Sequence, residues 1–326
     1  MLDIRENVEL AKHTVFGIGG PARYFCEIAS AEELAEAVLW ARAKAKPLFI
    51  LGAGSNVLVS DKGFDGLVIK NRANSISMDF GSPQTKLYAE AGLAAPKLYA
   101  EAGAQMARVV AESVKAGLSG FEWAIGIPGT IGGSVRGNAG CFGFEMRDVV
   151  ESVDIFDSNQ NKCFKFHVSS CGFGYRDSIF KHNPDLIILS TTLKLRAGDS
   201  KKSQSIIAEY AKKRALSQDI GQKCAGCIFK NVEWSRRDIH KSDLCMRFSE
   251  LRQFSDKPNI PAAFLIDQLG LKGMQIGGAK ISGRHANYFI NTGGATAEDV
   301  LTLITIAKEK VQNHYGVFLE TEIQLL

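Results

Sequence analysis

Ile127-Pro128-Gly129-Thr130-Ile131-Gly132-Gly133-Ser134-Val135-Arg136-Gly137-Asn138-Ala139-Gly140-Cys141-Phe142-Gly143 holds glycine at 129, 132, 133, 137, 140 and 143. No helix or strand core tolerates that density without a reason, because each glycine weakens a regular element. Glycine offers positive φ and close approach of backbone to a ligand. A second such segment, Gly52-Ala53-Gly54-Ser55-Asn56, follows the apolar run Leu48-Phe49-Ile50-Leu51. It fails as a dinucleotide fingerprint: the third glycine position is Val57, and Val57-Leu58-Val59-Ser60-Asp61 reads as strand, not as a helix start. No glycine loop ends in Lys-Ser or Lys-Thr, so there is no Walker A motif. Phosphates bound by such loops are held by bare backbone N–H groups. Taken alone, 52–56 is a tight strand–strand turn. Two separate glycine-rich turns suit a long, flat, phosphate-bearing cofactor lying between two sub-domains.

Outward from these segments, 22–28 reads as a strand, and Ser30 with Glu33 caps a helix that ends near Lys46, before Pro47. Strands follow at 48–51, 57–59 and 67–69. The polar stretch 71–86 looks like a boundary. A helix at about 104–116 ends at Gly117, and strands are expected at 149–157, 163–168 and 186–196. After a second polar break at 197–204 come a helix at 205–215, a strand near 227–230 and a helix at 261–269. A long helix at 297–313 is capped by Gly316, and a last strand covers 317–325. The charged stretch 232–259 is either a substrate-facing loop or a solvated surface insertion. The pattern is α+β, without alternating long βα units.

Composition sets limits on function. The 326 residues are 45% hydrophobic and 23% charged, as in a soluble globular chain with a substantial core. Lys plus Arg is 39 and Asp plus Glu is 35, a net +4. So small a surplus argues against nucleic acid and suits a local pocket for an anionic ligand. Met1-Leu2-Asp3-Ile4-Arg5-Glu6 is charged at once, unlike a signal peptide, and no run approaches the ~18 apolar residues of a membrane span. Cysteines stand at 26, 141, 163, 171, 224, 227 and 245, an odd number. The expectation is a cytoplasmic chain with reduced thiols, no disulfide framework, and no nucleic-acid or membrane partner.

An ordered set of motifs runs through nearly the whole chain. His13-Thr14-Val15-Phe16-Gly17-Ile18-Gly19-Gly20-Pro21-Ala22 comes first, followed by Gly52–Asn56, Gly126–Gly133 and Asn138-Ala139-Gly140. Gly174-Tyr175-Arg176-Asp177-Ser178, Gly226-Cys227-Ile228-Phe229-Lys230-Asn231 and Gly270-Leu271-Lys272-Gly273 continue it. His285-Ala286-Asn287 and Leu319-Glu320-Thr321-Glu322 complete it. The set resembles the UDP-N-acetylenolpyruvoylglucosamine reductases. That resemblance implies an α+β fold: a two-part FAD-binding module of the vanillyl-alcohol-oxidase (PCMH) type plus an α+β substrate-binding domain. It divides the chain into sub-domains at 1–75 and 76–200, a UDP-sugar domain at 201–316 and a C-terminal strand at 317–326. The short spacing from Arg176 to Cys227 resembles the compact, second subclass. The implied cofactor is FAD, with NADPH as hydride-donating co-substrate and UDP-N-acetylglucosamine enolpyruvate as the substrate of a monomer. The cofactor contacts carried over are Gly52, Ala53, Gly54, Ser55 and Asn56; Ile127, Pro128, Gly129, Thr130, Gly132 and Gly133; and Asn138, Ala139 and Gly140.

Hydride addition to an enolpyruvyl ether builds enolate charge that needs a fixed cation or acid beside it. The resemblance puts Arg176 there, and a guanidinium suits a carboxylate at any working pH. In isolation Arg176 would simply pair with Asp177. The second stabilising residue is Glu322; Glu320 lies two residues away, on the same face of a regular strand, and only the motif separates them. Cys227 stands where the family usually has serine and is the implied proton donor, a thiol being a far stronger acid than an aliphatic hydroxyl. Cys224-Ala225-Gly226-Cys227 alone suggests a redox dithiol or half a zinc site. Cys245 and His240 are not spaced as a second ligand pair, so no metal is expected. Lys230, Asn231, His285 and Arg214 are the substrate-binding candidates, although Val232 replaces the usual proline and Arg214 also reads as a solvated helix-end cation. Two rivals stay open: a flavoprotein of the same fold with another substrate, and a non-catalytic nucleotide-binding module with redox-sensing thiols.

Overall fold

Ser30 and Glu33 open the first helix as their spacing predicts. Ser30 Oγ accepts from the Glu33 N–H at 3.2 Å, and a Glu33 carboxylate oxygen accepts from the Ala29 N–H at 2.6 Å. The helix Ala31–Ala43 buries Leu34, Ala37, Val38 and Ala41 on one stripe. In this computed structural model, which describes residues 2–80, 96–219 and 221–326, the stripe packs with Cys26, Ile28, Leu67 and Ile69. Those residues belong to a four-stranded sheet in the order Arg5–Glu9, Pro21–Ile28, Phe64–Asn71, Leu48–Leu51. The last pair is parallel, with Leu48 opposite Leu67 and Ile50 opposite Ile69. Arg5–Glu9 carries no apolar alternation, and four of its five residues are exposed. Only sheet pairing reveals it as a strand.

The chain divides into two units. The first comprises Met1–Val8, Ala22–Ala53 and Asp65–Leu216; the second comprises Glu9–Pro21, Gly54–Phe64 and Ser217–Leu326. A second sheet in the first unit is antiparallel throughout, ordered Lys162–His167, Val150–Asp157, Leu186–Lys194, Lys97–Glu101, Ile76–Asp79. Its central strand opens on an uninterrupted apolar run, 186–189, because both faces are covered there. Ile188 and Leu193 pack with Val109 and Val110 of the helix Met106–Lys115, while Ile187 packs with the first helix. Strand Ile76–Asp79 falls within the polar stretch 71–86, whose residues 81–86 lie outside the described residues.

The glycine-dense segment is not all loop. Ile131–Arg136 is a short helix capped by Thr130. The Ile131 and Gly132 N–H groups donate to the carbonyls of Ala104 and Ala102, each at 2.9 Å. A Cβ on Gly132 would lie 2.7 Å from that of Ala102, so a helix can run here only with glycine at this point.

The second unit is built on a three-stranded antiparallel sheet, Gln275–Ile276, Ala279–Ile281 and Phe289–Asn291. Against it lies the helix Ala297–Tyr315, which ends at Gly316 with φ 73°, as expected. Its N-terminus has a Thr296–Asp299 capping box, and Asp61 also accepts from the Ala297 and Glu298 N–H groups at 2.9 and 3.2 Å. The stretch 232–259 is not a solvated insertion. It folds as a ladder of Val232–Glu233 with Asn259–Ile260 around the helix Lys241–Arg247, and it buries Val232, Ile239, Leu244, Leu251 and Phe254 in the unit's core. Irregular spacing of these residues among charges hides that core from a periodicity search. The expected strand 317–325 is only partly paired. Gln324–Leu325 runs parallel to Val57–Leu58, and Thr321 forms an isolated bridge to Phe229. No helix among the described residues is long and apolar enough to cross a membrane.

Candidate active site

The first unit brings the two glycine-rich segments together. A side chain on Gly52 would sit 2.5 Å from Thr130 Oγ1, so the turn after strand Leu48–Leu51 lies directly on the cap of helix Ile131–Arg136. Gly133 is exposed, and its missing side chain would meet nothing closer than 3.7 Å. The Gly129 carbonyl accepts from the Met106 N–H at 3.0 Å, and Ile127 N–H donates to Ala124 O at 3.1 Å. The two glycine-rich segments thus lie in direct contact at Gly52 and Thr130, an approach that only a residue without a side chain at 52 allows. Ala53 borders Gly52 in this unit. Gly54, Ser55 and Asn56 belong to the second unit, where a Cβ on Gly54 would lie 2.4 Å from the His13 carbonyl.

Arg176 occupies a turn in which Gly174 and Asp177 exchange both backbone bonds, at 3.0 and 3.2 Å. Its φ is 53°, a strained value for a long side chain. The half-buried guanidinium donates from Nη2 to the Gly140 carbonyl at 2.7 Å and lies 5.4 Å from the Tyr175 ring centroid. His182 Nε2 lies 2.9 Å from both carboxylate oxygens of Asp177. Burial opposes ionisation of Asp177, but its bonds to His182 and to the Ser178 N–H hold it below the usual carboxylate range. Arg214, on the helix Ser200–Ser217, lies beside Gly126, with Nε 2.9 Å from where a Gly126 Cβ would be. Burial pushes the Cys141 thiol up, while Arg214 and Arg176 both pull it down. Asn138 is fully buried, and both backbone groups of Ala139 are bonded within the protein, to Ser134 and Met146.

The second unit gathers the remaining candidates on three adjoining extended segments. Residues 227–230 form the middle one. On one side the Glu322 N–H donates to Ile228 O at 2.7 Å and the Lys230 N–H donates to Glu320 O at 2.9 Å. On the other, Ile228 N–H donates to Asn287 O at 2.9 Å, and Cys227 bridges Tyr288. The Asn287 side chain closes the join, accepting from Phe229 N–H at 2.9 Å and donating to Phe229 O at 2.8 Å. Cys227 and Glu322 are both half-buried. Asn56 Nδ2 donates to the Glu322 carbonyl at 3.2 Å, and Asn56 O accepts from Gln324 N–H at 2.9 Å. Glu320, by contrast, is exposed and paired with Lys230 at 3.3 Å.

Asn231 Oδ1 accepts from the Ala262 N–H at 3.1 Å, at the start of helix Ala262–Gln268. His285 packs against Tyr288, with ring centroids 4.5 Å apart and planes tilted by 50°, and its Nδ1 is buried without a hydrogen-bond partner among the described residues. Burial keeps this imidazole below its usual pKa. Cys224 is half-buried, and burial pushes its thiol up. Among the described residues no group of three or more His, Cys, Asp or Glu is placed to hold a metal ion. Asn287, Asn56 and Asn138 emerge as residues that bind backbone. Their sequence surroundings show only that asparagine recurs in the motifs.

Comparison with known proteins agrees with this geometry. Residues 22–161 match the model of an FAD binding domain, and residues 218–326 match that of the UDP-N-acetylenolpyruvoylglucosamine reductase C-terminal domain. The chain is 36% identical to the UDP-N-acetylenolpyruvoylglucosamine reductase of Synechococcus sp. (strain JA-3-3Ab), with 99% of this chain and 91% of that protein covered. It is also 36% identical to the enzyme of that name from Carboxydothermus hydrogenoformans, over 99% of this chain and 94% of the other. The crystal structure of the Thermus caldophilus reductase superposes with a TM-score of 0.72 at 30% identity, covering 100% of this chain and 98% of that one. The fold is thus the expected mixed α+β arrangement, with an FAD-binding domain followed by the reductase C-terminal domain. On this agreement over its whole length the chain belongs to the UDP-N-acetylenolpyruvoylglucosamine reductase family and is an FAD-dependent oxidoreductase.

Proposed function

We propose that the chain reduces the enolpyruvyl group of UDP-N-acetylglucosamine enolpyruvate to give UDP-N-acetylmuramate, consuming NADPH, in peptidoglycan precursor synthesis. The observation that carries the reading is the ladder joining 227–230 to 320–322, which supports an acid, Cys227, working beside a carboxyl group, Glu322. Backbone and side chains of 52–56 and 127–133 would hold FAD, which when bound and reduced supplies the hydride. Hydride addition leaves the substrate as an enolate with charge on its carboxylate side. Arg176 meets that charge with a guanidinium that its strained turn holds in place before the reaction begins. Glu322 assists from the opposite strand of the ladder. Cys227 Sγ–H then protonates the α-carbon, and the thiolate is re-protonated from solvent.

Lys230, Asn231, His285 and Arg214 are the proposed substrate contacts. The Lys230–Glu320 pair is largely solvated on the carboxylate side and is therefore weak, so an anionic sugar nucleotide can take the lysine from it. Asn231 contributes from a position fixed by its bond to Ala262. The neutral His285 offers a ring without the cost of a buried charge.

An anaerobic half-reaction experiment tests this. The purified protein should be yellow, bleach with NADPH, and regain colour without oxygen only when the enolpyruvyl sugar nucleotide is added. A protein that bleaches but stays bleached with that substrate acts on something else. A colourless protein that binds no FAD excludes the reading altogether.

A further inference from the structure

The turn that carries Arg176 is latched to the end of the glycine-dense segment at three points. Ser178 Oγ donates to the Arg136 carbonyl at 2.7 Å. Asn138 Nδ2 donates to the Gly174 carbonyl at 2.8 Å. Arg176 Nη2 donates to the Gly140 carbonyl at 2.7 Å. Alternate residues 136, 138 and 140 thus each hold one residue of the 174–178 turn.

Asn138 is the middle point, and its chemistry is used up inside the protein. It is 0% exposed. Its second amide hydrogen bonds a Glu145 carboxylate oxygen at 2.9 Å, and its Oδ1 accepts from the Arg147 N–H at 3.0 Å. That leaves no surface of the side chain for a cofactor. Asn138 also sits at φ 42° and Arg176 at φ 53°. Asparagine tolerates this region better than arginine does, and such conformations persist only when their surroundings enforce them. A buried amide with good partners on both sides can enforce one.

We infer that Asn138 is a positioning residue: it fixes the strained Arg176 turn, so that the guanidinium points where enolate charge will develop. The inference rests on the role given to Arg176 above. It moves Asn138 from cofactor contact to support of the chemical step.

The test is Asn138→Gly in the FAD-loaded enzyme. Glycine keeps the left-handed backbone without strain and removes the side chain with its three hydrogen bonds. FAD content and bleaching by NADPH should stay within about threefold of native, whereas reoxidation by the enolpyruvyl substrate should slow on the order of 10- to 100-fold, as for a misplaced catalytic group. In an Arg176→Ala background the same change should cost nothing further, because the two residues act as one. In the protein without FAD, amide hydrogen exchange across 173–178 should quicken. Ser178→Ala, which removes a neighbouring latch point, should give a milder version of the same pattern. Equal slowing of both half-reactions, unchanged exchange, or an additive loss in the Arg176→Ala background overturns the latch. An Arg176→Ala enzyme that reoxidises at the native rate instead overturns the role of Arg176 itself.

Discussion

Cys227 and Cys26 are the same residue type with opposite prospects. Cys26 is fully buried, and loss of solvation pushes its thiol up to about 12; burial likewise moves Cys171 to about 11. Both are sealed in the core, out of reach of a substrate. Cys227 is half-buried on a segment whose backbone is held from both sides. Replacing Cys227 by alanine should leave NADPH bleaching of the flavin nearly intact and slow substrate reduction at least about 100-fold, the usual scale for losing a general acid. Cys227→Ser should retain part of the activity; stopped-flow measurement of each half-reaction separates the two outcomes. Glu320 and Glu322 show how far residue types alone can carry such an assignment. In a regular strand they share a face, and pattern cannot choose between them. In the structure the chain is irregular there: Glu320 reaches solvent and Lys230, while Glu322 is bonded through its backbone to Ile228 and Asn56.

Elements were legible where a periodic stripe and a local cap coincide. The helices Ala31–Ala43 and Ala297–Tyr315 begin and end close to where Ser30, Glu33 and Gly316 place them. Pairing partners were not legible. Residues 227–230 and 320–322 are short, and their alternation is weak, so nothing local says that they meet each other or Asn287. The longest helix shows the same limit. Besides its own Thr296, it is capped by Asp61, more than 200 residues earlier, whose two oxygens take the Ala297 and Glu298 N–H groups. A carboxylate there satisfies orphan donors and complements the helix dipole. Asp61→Ala should therefore lower the unfolding free energy of the protein by about 1–2 kcal/mol, and Asp61→Asn by less, as read from urea unfolding. No change for Asp61→Ala would mean that Thr296 and solvent suffice.

Across the molecule, pH dependence tests the burial of His285. Its folded pKa is lowered from 6.5, first by loss of solvation. Above pH 6.5 the ring is neutral in both folded and unfolded chains and adds no slope. Below 6.5 the unfolded chain takes up a proton that the buried ring refuses, so stability falls as pH falls. Urea unfolding between pH 8 and 5 should show this fall, and His285→Gln should flatten it; an unchanged slope would place the titration elsewhere. The carboxylates held below their usual range, Asp177 among them, lose their contribution only at lower pH, as they protonate. Most of what identifies the protein came from local features: two glycine-rich turns without a fingerprint, caps, apolar stripes, and an ordered set of motifs. These are legible because φ, close backbone approach and side-chain periodicity are properties of consecutive residues. Tertiary structure alone decided that 9–21 and 54–64 join 217–326 in one unit, that 232–259 adds Val232, Ile239, Leu244, Leu251 and Phe254 to the core, and that Asn56, Asn138 and Asn287 grip backbone. Those facts depend on hydrogen bonds between residues far apart in sequence, and a buried asparagine looks the same in sequence whether it holds a ligand or a neighbouring turn.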